Sequence, residues 1–170
     1  MNRRMLNKEY RMIKWGQMSL AVLMGIFVLC GCNQKAVAEE QSGIWKSDYA
    51  AALKQAAAEN KYVLVDFSGS DWCGWCIKLD QEVFSKKEFI NYASENLICV
   101  LVDFPRRKPQ PDGQKAANQA LSERYNIEGF PTVLILNPQG KVIKRTGYLQ
   151  GGPLAYVEMI KAAIAANPAK

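Results

Sequence analysis

The chain has 170 residues, a formal net charge of +6 and no histidine. The missing histidine removes imidazole metal sites, haem attachment through C-x-x-C-H and every Ser-His or Cys-His catalytic pair. The length fits one domain plus extra sequence, and the extra lies at the front.

Residues 1–17 carry Arg3, Arg4, Lys8, Arg11 and Lys14 against Glu9, and no charge falls between Gln17 and Gln34. A basic segment followed by an apolar run of about a dozen residues is the layout of a secretory signal. The apolar run, SLAVLMGIFVL, is short beside the about 20 residues of a spanning helix. Its exit, Leu29-Cys30-Gly31-Cys32, lacks the small residues of an ordinary cleavage site and resembles a bacterial lipoprotein box. Cys30 stands where alanine or serine is commoner. The resemblance implies a signal over 1–31, cleavage before Cys32, and acylation of Cys32. The protein would then sit extracytoplasmically, on the periplasmic side, anchored to a bacterial membrane through lipid. Each buried acyl methylene contributes about 0.8 kcal/mol to such anchoring. Residues 32–43 read as a tether and 44–170 as one domain. Most of the positive charge belongs to the leader, so nucleic-acid binding gains no support.

Within the domain, residues 47–61 are alanine-rich and predict a helix, with Ser47 as candidate cap. YVLVDFS (62–68) is a compact apolar run suited to a central strand buried on both faces. A helix is expected from Cys73 to about Val83. Another begins at 85, where Ser85 and Glu88 have capping-box spacing. LICVLVDF (97–104) is again a buried strand. FPRRKPQPDG (104–113) reads as a solvated loop ending in an Asp-Gly turn, and a helix follows over about 114–125. FPTVLILN (130–137) and KVIKRTG (141–147) are strands joined by an NPQG turn, the second nearer an edge. Residues 152–166 form an amphipathic helix with Leu154, Val157, Ile160, Ala163 and Ile164 on one face. Strands alternating with helices imply an α/β fold with parallel pairs, and the last hairpin adds an antiparallel edge. A mixed four-to-five-stranded sheet flanked by helices results.

SDWCGWCIK (70–78) carries the chemistry. One C-x-x-C with only Cys99 left over, inside an apolar strand, is a poor zinc set, so no metal is expected. A permanent staple closing so small a loop would constrain the unfolded chain little. Reversible exchange suits the spacing better. A thiol at a helix N-terminus is stabilised as thiolate, in C-x-x-C motifs down to a pKa of roughly 3.5–7.5. Cys73 would attack a disulfide and Cys76, one turn along, would resolve it.

VLVDFSGSDWCGWC resembles the active-site segment of the thioredoxin superfamily, in particular secreted or membrane-attached bacterial domains such as the C-terminal domain of the thiol-disulfide interchange protein. The resemblance covers about residues 45–166. It implies a thioredoxin fold and a redox disulfide Cys73–Cys76. Asp66 matches the family's buried aspartate, which moves a proton to or from the resolving cysteine, and burial should raise its pKa. Gly129-Phe130-Pro131-Thr132 matches the loop whose proline is cis and whose preceding residue, here Phe130, meets an extended substrate strand. Gly147 matches a glycine that leaves room for the substrate. Trp72 and Trp75 are read as an apolar lip around the thiol. Two departures stand out. The dipeptide between the cysteines is Gly-Trp, and Asp66 lies seven residues before Cys73, one more than in thioredoxin.

The reading is a thiol-disulfide oxidoreductase acting on protein disulfides outside the cytoplasm, without a cofactor. It would work as a monomer supplied by a membrane electron-donor thiol protein. No cation stands between the cysteines to hold the thiolate, which favours the reducing direction. The alternatives are a disulfide oxidase or isomerase, and a non-catalytic thioredoxin-fold binding module.

Overall fold

The computed structural model describes residues 43–169. The predicted signal, Cys32 and the tether up to residue 42 lie outside the described residues. Five strands, β1 (Trp45–Lys46), β2 (Tyr62–Ser68), β3 (Leu97–Asp103), β4 (Thr132–Leu136) and β5 (Val142–Thr146), form one sheet in the order β1-β3-β2-β4-β5. β2 is central and buried throughout, as its apolar run requires. β5 is an edge strand, as its polar alternation indicates.

β2 and β3 are parallel, and so are β3 and β1. β4, however, is antiparallel to β2 as well as to β5. Helix–strand alternation suggested a parallel β4. The chain instead enters β4 at the end where β2 leaves the sheet, with Thr132 opposite Phe67. β1 went unread because two residues are too few to show a period.

The side-chain period of two divides β2 between two cores. Val63, Val65 and Phe67 pack with Tyr49, Ala52 and Ala56 of α1 (Tyr49–Glu59), and Leu121 of α4 (Asp112–Arg124) joins that cluster. Tyr62 and Leu64 face the other way. They pack with Leu79 of α2 (Gly74–Leu79), Phe89 of α3 (Lys87–Asn96), and Tyr156 and Ile160 of α5 (Gly152–Ala165). By the same parity Asp66 points towards α2. This sandwich, an α/β fold with a mixed sheet between helices, is the thioredoxin fold.

Several local expectations need correcting. The cap of α1 is Asp48, not Ser47: its carboxylate accepts the Ala51 N–H at 2.9 Å. The capping box at Ser85 does not form. α2 passes directly into a π-helical turn (Asp80–Phe84), so the Ser85 hydroxyl donates back to the Gln81 carbonyl, and Lys86 takes the cap position of α3. Asp112-Gly113 is no turn but the first turn of α4, where a negative charge suits the helix dipole. Leu154 is 65% exposed. Tyr156 takes the inward place there, with its ring against Phe84 and its hydroxyl donating to the Gly147 carbonyl.

The cap assignment has a direct test. Asp48→Ala should lower the unfolding free energy by about 1 kcal/mol, while Ser47→Ala should stay within about 0.5 kcal/mol of the parent. Urea titrations of the two variants check this.

Candidate active site

β2 delivers the chain to a tight turn in which the Trp72 and Cys73 N–H groups both donate to the Gly69 carbonyl. A Cβ on Gly69 would lie 2.5 Å from the Trp72 indole, so glycine is needed for the ring to fold over the turn. The indole N–H then donates to the Phe104 carbonyl at 2.7 Å, and its ring meets Phe130 edge-on at 5.9 Å. Trp72 is therefore less a free lip than a fixed post between three segments.

Cys73 caps α2 from an extended backbone, and its Sγ accepts the Cys76 N–H at 3.2 Å. The two sulfurs form a disulfide across Cα atoms 5.2 Å apart. The disulfide is recessed: Cys73 is 8% and Cys76 5% exposed. Exposure therefore does not tell the two sulfurs apart. Position does, because Cys73 precedes the helix and receives its N–H, while Cys76 lies inside the first turn.

The antiparallel entry of β4 places the Phe130-Pro131 peptide, which is cis, at this same end of the sheet. Phe130 stacks on Phe104 at 5.1 Å. A Cβ on Gly147 would meet the Pro131 carbonyl oxygen at 2.9 Å. Here the glycine makes room for the Pro131 backbone itself. On the other flank, Trp75 is 57% exposed, the most open of the predicted site residues among those described. Its ring leans on Tyr148 at 5.2 Å, and the Lys78 ammonium lies 5.1 Å from both rings. The Tyr148 hydroxyl donates to Glu82, fixing the segment after β5 to the helix side of the site.

Behind the disulfide is a cavity of about 290 Å³ lined in part by Asp66, Cys76, Asp80, Ser70 and Lys108. Asp66 is 5% exposed, and its Oδ1 is buried without a hydrogen-bond partner. Burial pushes its pKa up to about 8, and the Asp80 and Asp103 carboxylates add to the rise. Asp80 lies on the π turn and is itself raised by desolvation. A carboxyl that holds its proton near neutral pH, sharing a cavity with Cys76, can give or take the proton that thiol chemistry requires. Cys99 is a buried free thiol that burial pushes up to about 12, so it is inert at neutral pH.

Sequence reasoning missed Asp71, Asp80 and Tyr148. Asp80 stands one turn after Cys76, a helical spacing that could have flagged it. Asp71 and Tyr148 act through loops, and no periodicity marks them.

The model of the thioredoxin-like domain matches residues 49–159 of this chain. The chain belongs to that family. It is 39% identical over 120 residues to the disulfide bond reductase DsbH of Chlamydia pneumoniae, covering 71% of this chain and 72% of that protein. It is 33% identical over 109 residues to the thioredoxin-related protein DsbJ of the same organism, covering 64% of this chain but 31% of the relative. A solved structure of a DsbH oxidoreductase superposes with a TM-score of 0.68 at 38% identity, over 71% of this chain and 83% of the other. A thioredoxin from Thermus thermophilus, at 19% identity and TM-score 0.55, shares the fold.

Burial of Asp66 ties stability to pH. Its folded pKa of about 8 lies above the unfolded value of about 3.9. The folded state thus holds the proton more tightly, so the contribution of Asp66 to stability is full below the unfolded value of about 3.9 and is lost as pH rises from there to about 8. With no histidine in the chain, little else titrates between about pH 5.5 and 8. Urea unfolding of the oxidised protein should weaken across that window by of order 1 kcal/mol per pH unit. Asp66→Asn should flatten the slope.

Proposed function

We propose that this thioredoxin-like oxidoreductase reduces disulfides of other proteins outside the cytoplasm, held to a membrane by lipid on Cys32. The observation that carries the reading is the Cys73–Cys76 disulfide at a helix start, with protonated Asp66 behind it and cis Pro131 at the same sheet end. The relative named a disulfide bond reductase, matched over most of its length, supports the reducing direction.

In the reduced protein the Cys73 thiolate, assisted by the Cys76 N–H and the start of α2, attacks one sulfur of a substrate disulfide. The substrate S–S bond breaks, a mixed disulfide forms, and the departing substrate thiolate picks up a proton. Asp66, entering this step as its carboxylate, takes the proton of Cys76, which attacks the Cys73 sulfur; the second substrate sulfur leaves as a thiolate and takes a proton from solvent. The substrate gains two electrons and the protein is left as the Cys73–Cys76 disulfide, with Asp66 protonated. A dithiol protein at the membrane restores the reduced state by the reverse exchange. Phe130, Pro131 and Trp75 form the walls against which an extended substrate lies, and Trp72 fixes one of them. Neither metal nor organic cofactor enters these steps.

Insulin reduction driven by dithiothreitol should be rapid for the parent and fall to background for Cys73→Ser. Cys76→Ser should accumulate a mixed disulfide instead of turning over. The Cys73/Cys76 couple should lie nearer the about −270 mV of thioredoxin than the about −120 mV of strong oxidants. An oxidising potential, or insulin reduction indifferent to Cys73→Ser, would reject the proposal.

A further inference from the structure

Arg106, Arg107 and Lys108 are consecutive, exposed, and among the described residues make no ion pair with a carboxylate. A solvated loop would need no more explanation, but this one is held. The Asp71 carboxylate accepts the backbone N–H groups of Arg106, Arg107 and Lys108 at 3.0, 2.7 and 3.0 Å. Those bonds, led by that from Arg106, keep its carboxyl below the usual carboxylate range. Because the carboxylate binds the backbone, the three cationic side chains are left uncommitted to it. Asp103 at the loop's start is engaged separately, by the Ser70 N–H and hydroxyl.

The loop is also fastened to the reactive end of the sheet. The Arg106 guanidinium lies 3.7 Å from the Trp72 ring centre, over the residue that precedes Cys73. Lys108 lines the same cavity as Cys76 and Asp66. Arg106 and Lys108 therefore border the disulfide end of the sheet, and Arg107 stands between them in the chain. Their loop is ordered before any partner arrives, so little further ordering is needed on binding.

We infer that residues 105–108 are a basic lip of the substrate groove that selects polypeptide disulfides flanked by acidic residues. The inference rests on the disulfide-exchange reading above. An extended chain advances about 3.3 Å per residue, so side chains that flank the attacked cysteine within a few residues pass close to this end of the sheet. Anionic headgroups are the poorer match, because lipid-binding basic clusters gather about 4–8 cations. Charges at the rim of an interface act mainly through encounter and partner choice. The signature of the lip is therefore the ratio of rates between two substrates, not the absolute rate of either.

The test is single-turnover oxidation of the pre-reduced full chain by two disulfide peptides, identical except for two glutamates or two lysines flanking the cysteine. The acidic peptide should react roughly five- to tenfold faster at low salt, through a lower half-saturation concentration, as two exposed charge pairs allow. Added salt should erase the difference. Arg107→Glu with Lys108→Glu should reverse the preference, and the milder Arg107→Gln with Lys108→Gln should abolish it. Both pairs leave the Arg106–Trp72 stack in place. Equal rates for the two peptides overturn the inference. So does a loop whose substitution changes only binding to phosphatidylglycerol vesicles. A neutral small disulfide, hydroxyethyl disulfide, separates the two readings: if the parent chain fails to reduce it, the exchange reading itself fails.

Discussion

The antiparallel pairing of β4 with β2 is the constraint on which the site depends. A strand entering the sheet beside the exit of β2 brings its leading residues to the loop that carries the cysteines. Had β4 been parallel, Phe130 and Pro131 would have stood at the opposite end, about five residues of strand away. The pairing joins Val63–Phe67, all buried, to Thr132–Leu136, of which all but the leading Thr132 are buried. A slip of one residue would turn Leu134 and Leu136 from the α1 core to the other face. Register is therefore fixed by hydrophobic packing, and the geometry around the sulfurs is inherited from it.

The polar groups near the site are treated in two opposite ways. Asp71 sits near the surface, gathers three N–H bonds and stays ionised, and so orders a loop. Asp66 is withdrawn from water with one oxygen unpaired, and it keeps its proton. An unpaired buried polar atom weakens a fold, and chains rarely retain one without use. It lines one cavity with Cys76 and Asp80, and the use we propose for it is proton exchange with a thiol that solvent barely reaches.

Much of this was legible in the sequence because hydrophobic periodicity reports on burial. The run at 62–68 marked the central strand, the alternation at 141–147 marked an edge, and the cysteine spacing marked a helix start after a strand. The errors share a cause. Helical spacing puts Leu154 inside, yet spacing cannot say which residue of a turn another element will cover, and the one covered is Tyr156. Helix caps depend on φ and ψ at one residue, so Asp48 rather than its neighbour Ser47 was decided by backbone geometry. The Asp71 clasp and the Trp75–Tyr148 contact join residues far apart in the chain, which no local pattern records.

We propose that Cys73, which stands ahead of α2 and receives its N–H, is the reactive sulfur, with Cys76 inside the first turn resolving and Cys99 sealed in the sheet. Timed alkylation of the reduced protein with iodoacetamide across a range of pH, read by peptide mapping, addresses it most directly. The expected result is that Cys73 is modified first, with an inflection well below the about 8.5 of a free thiol. Modification of Cys76 ahead of Cys73, or a Cys73 rate no greater than that of free cysteine at neutral pH, would contradict the account.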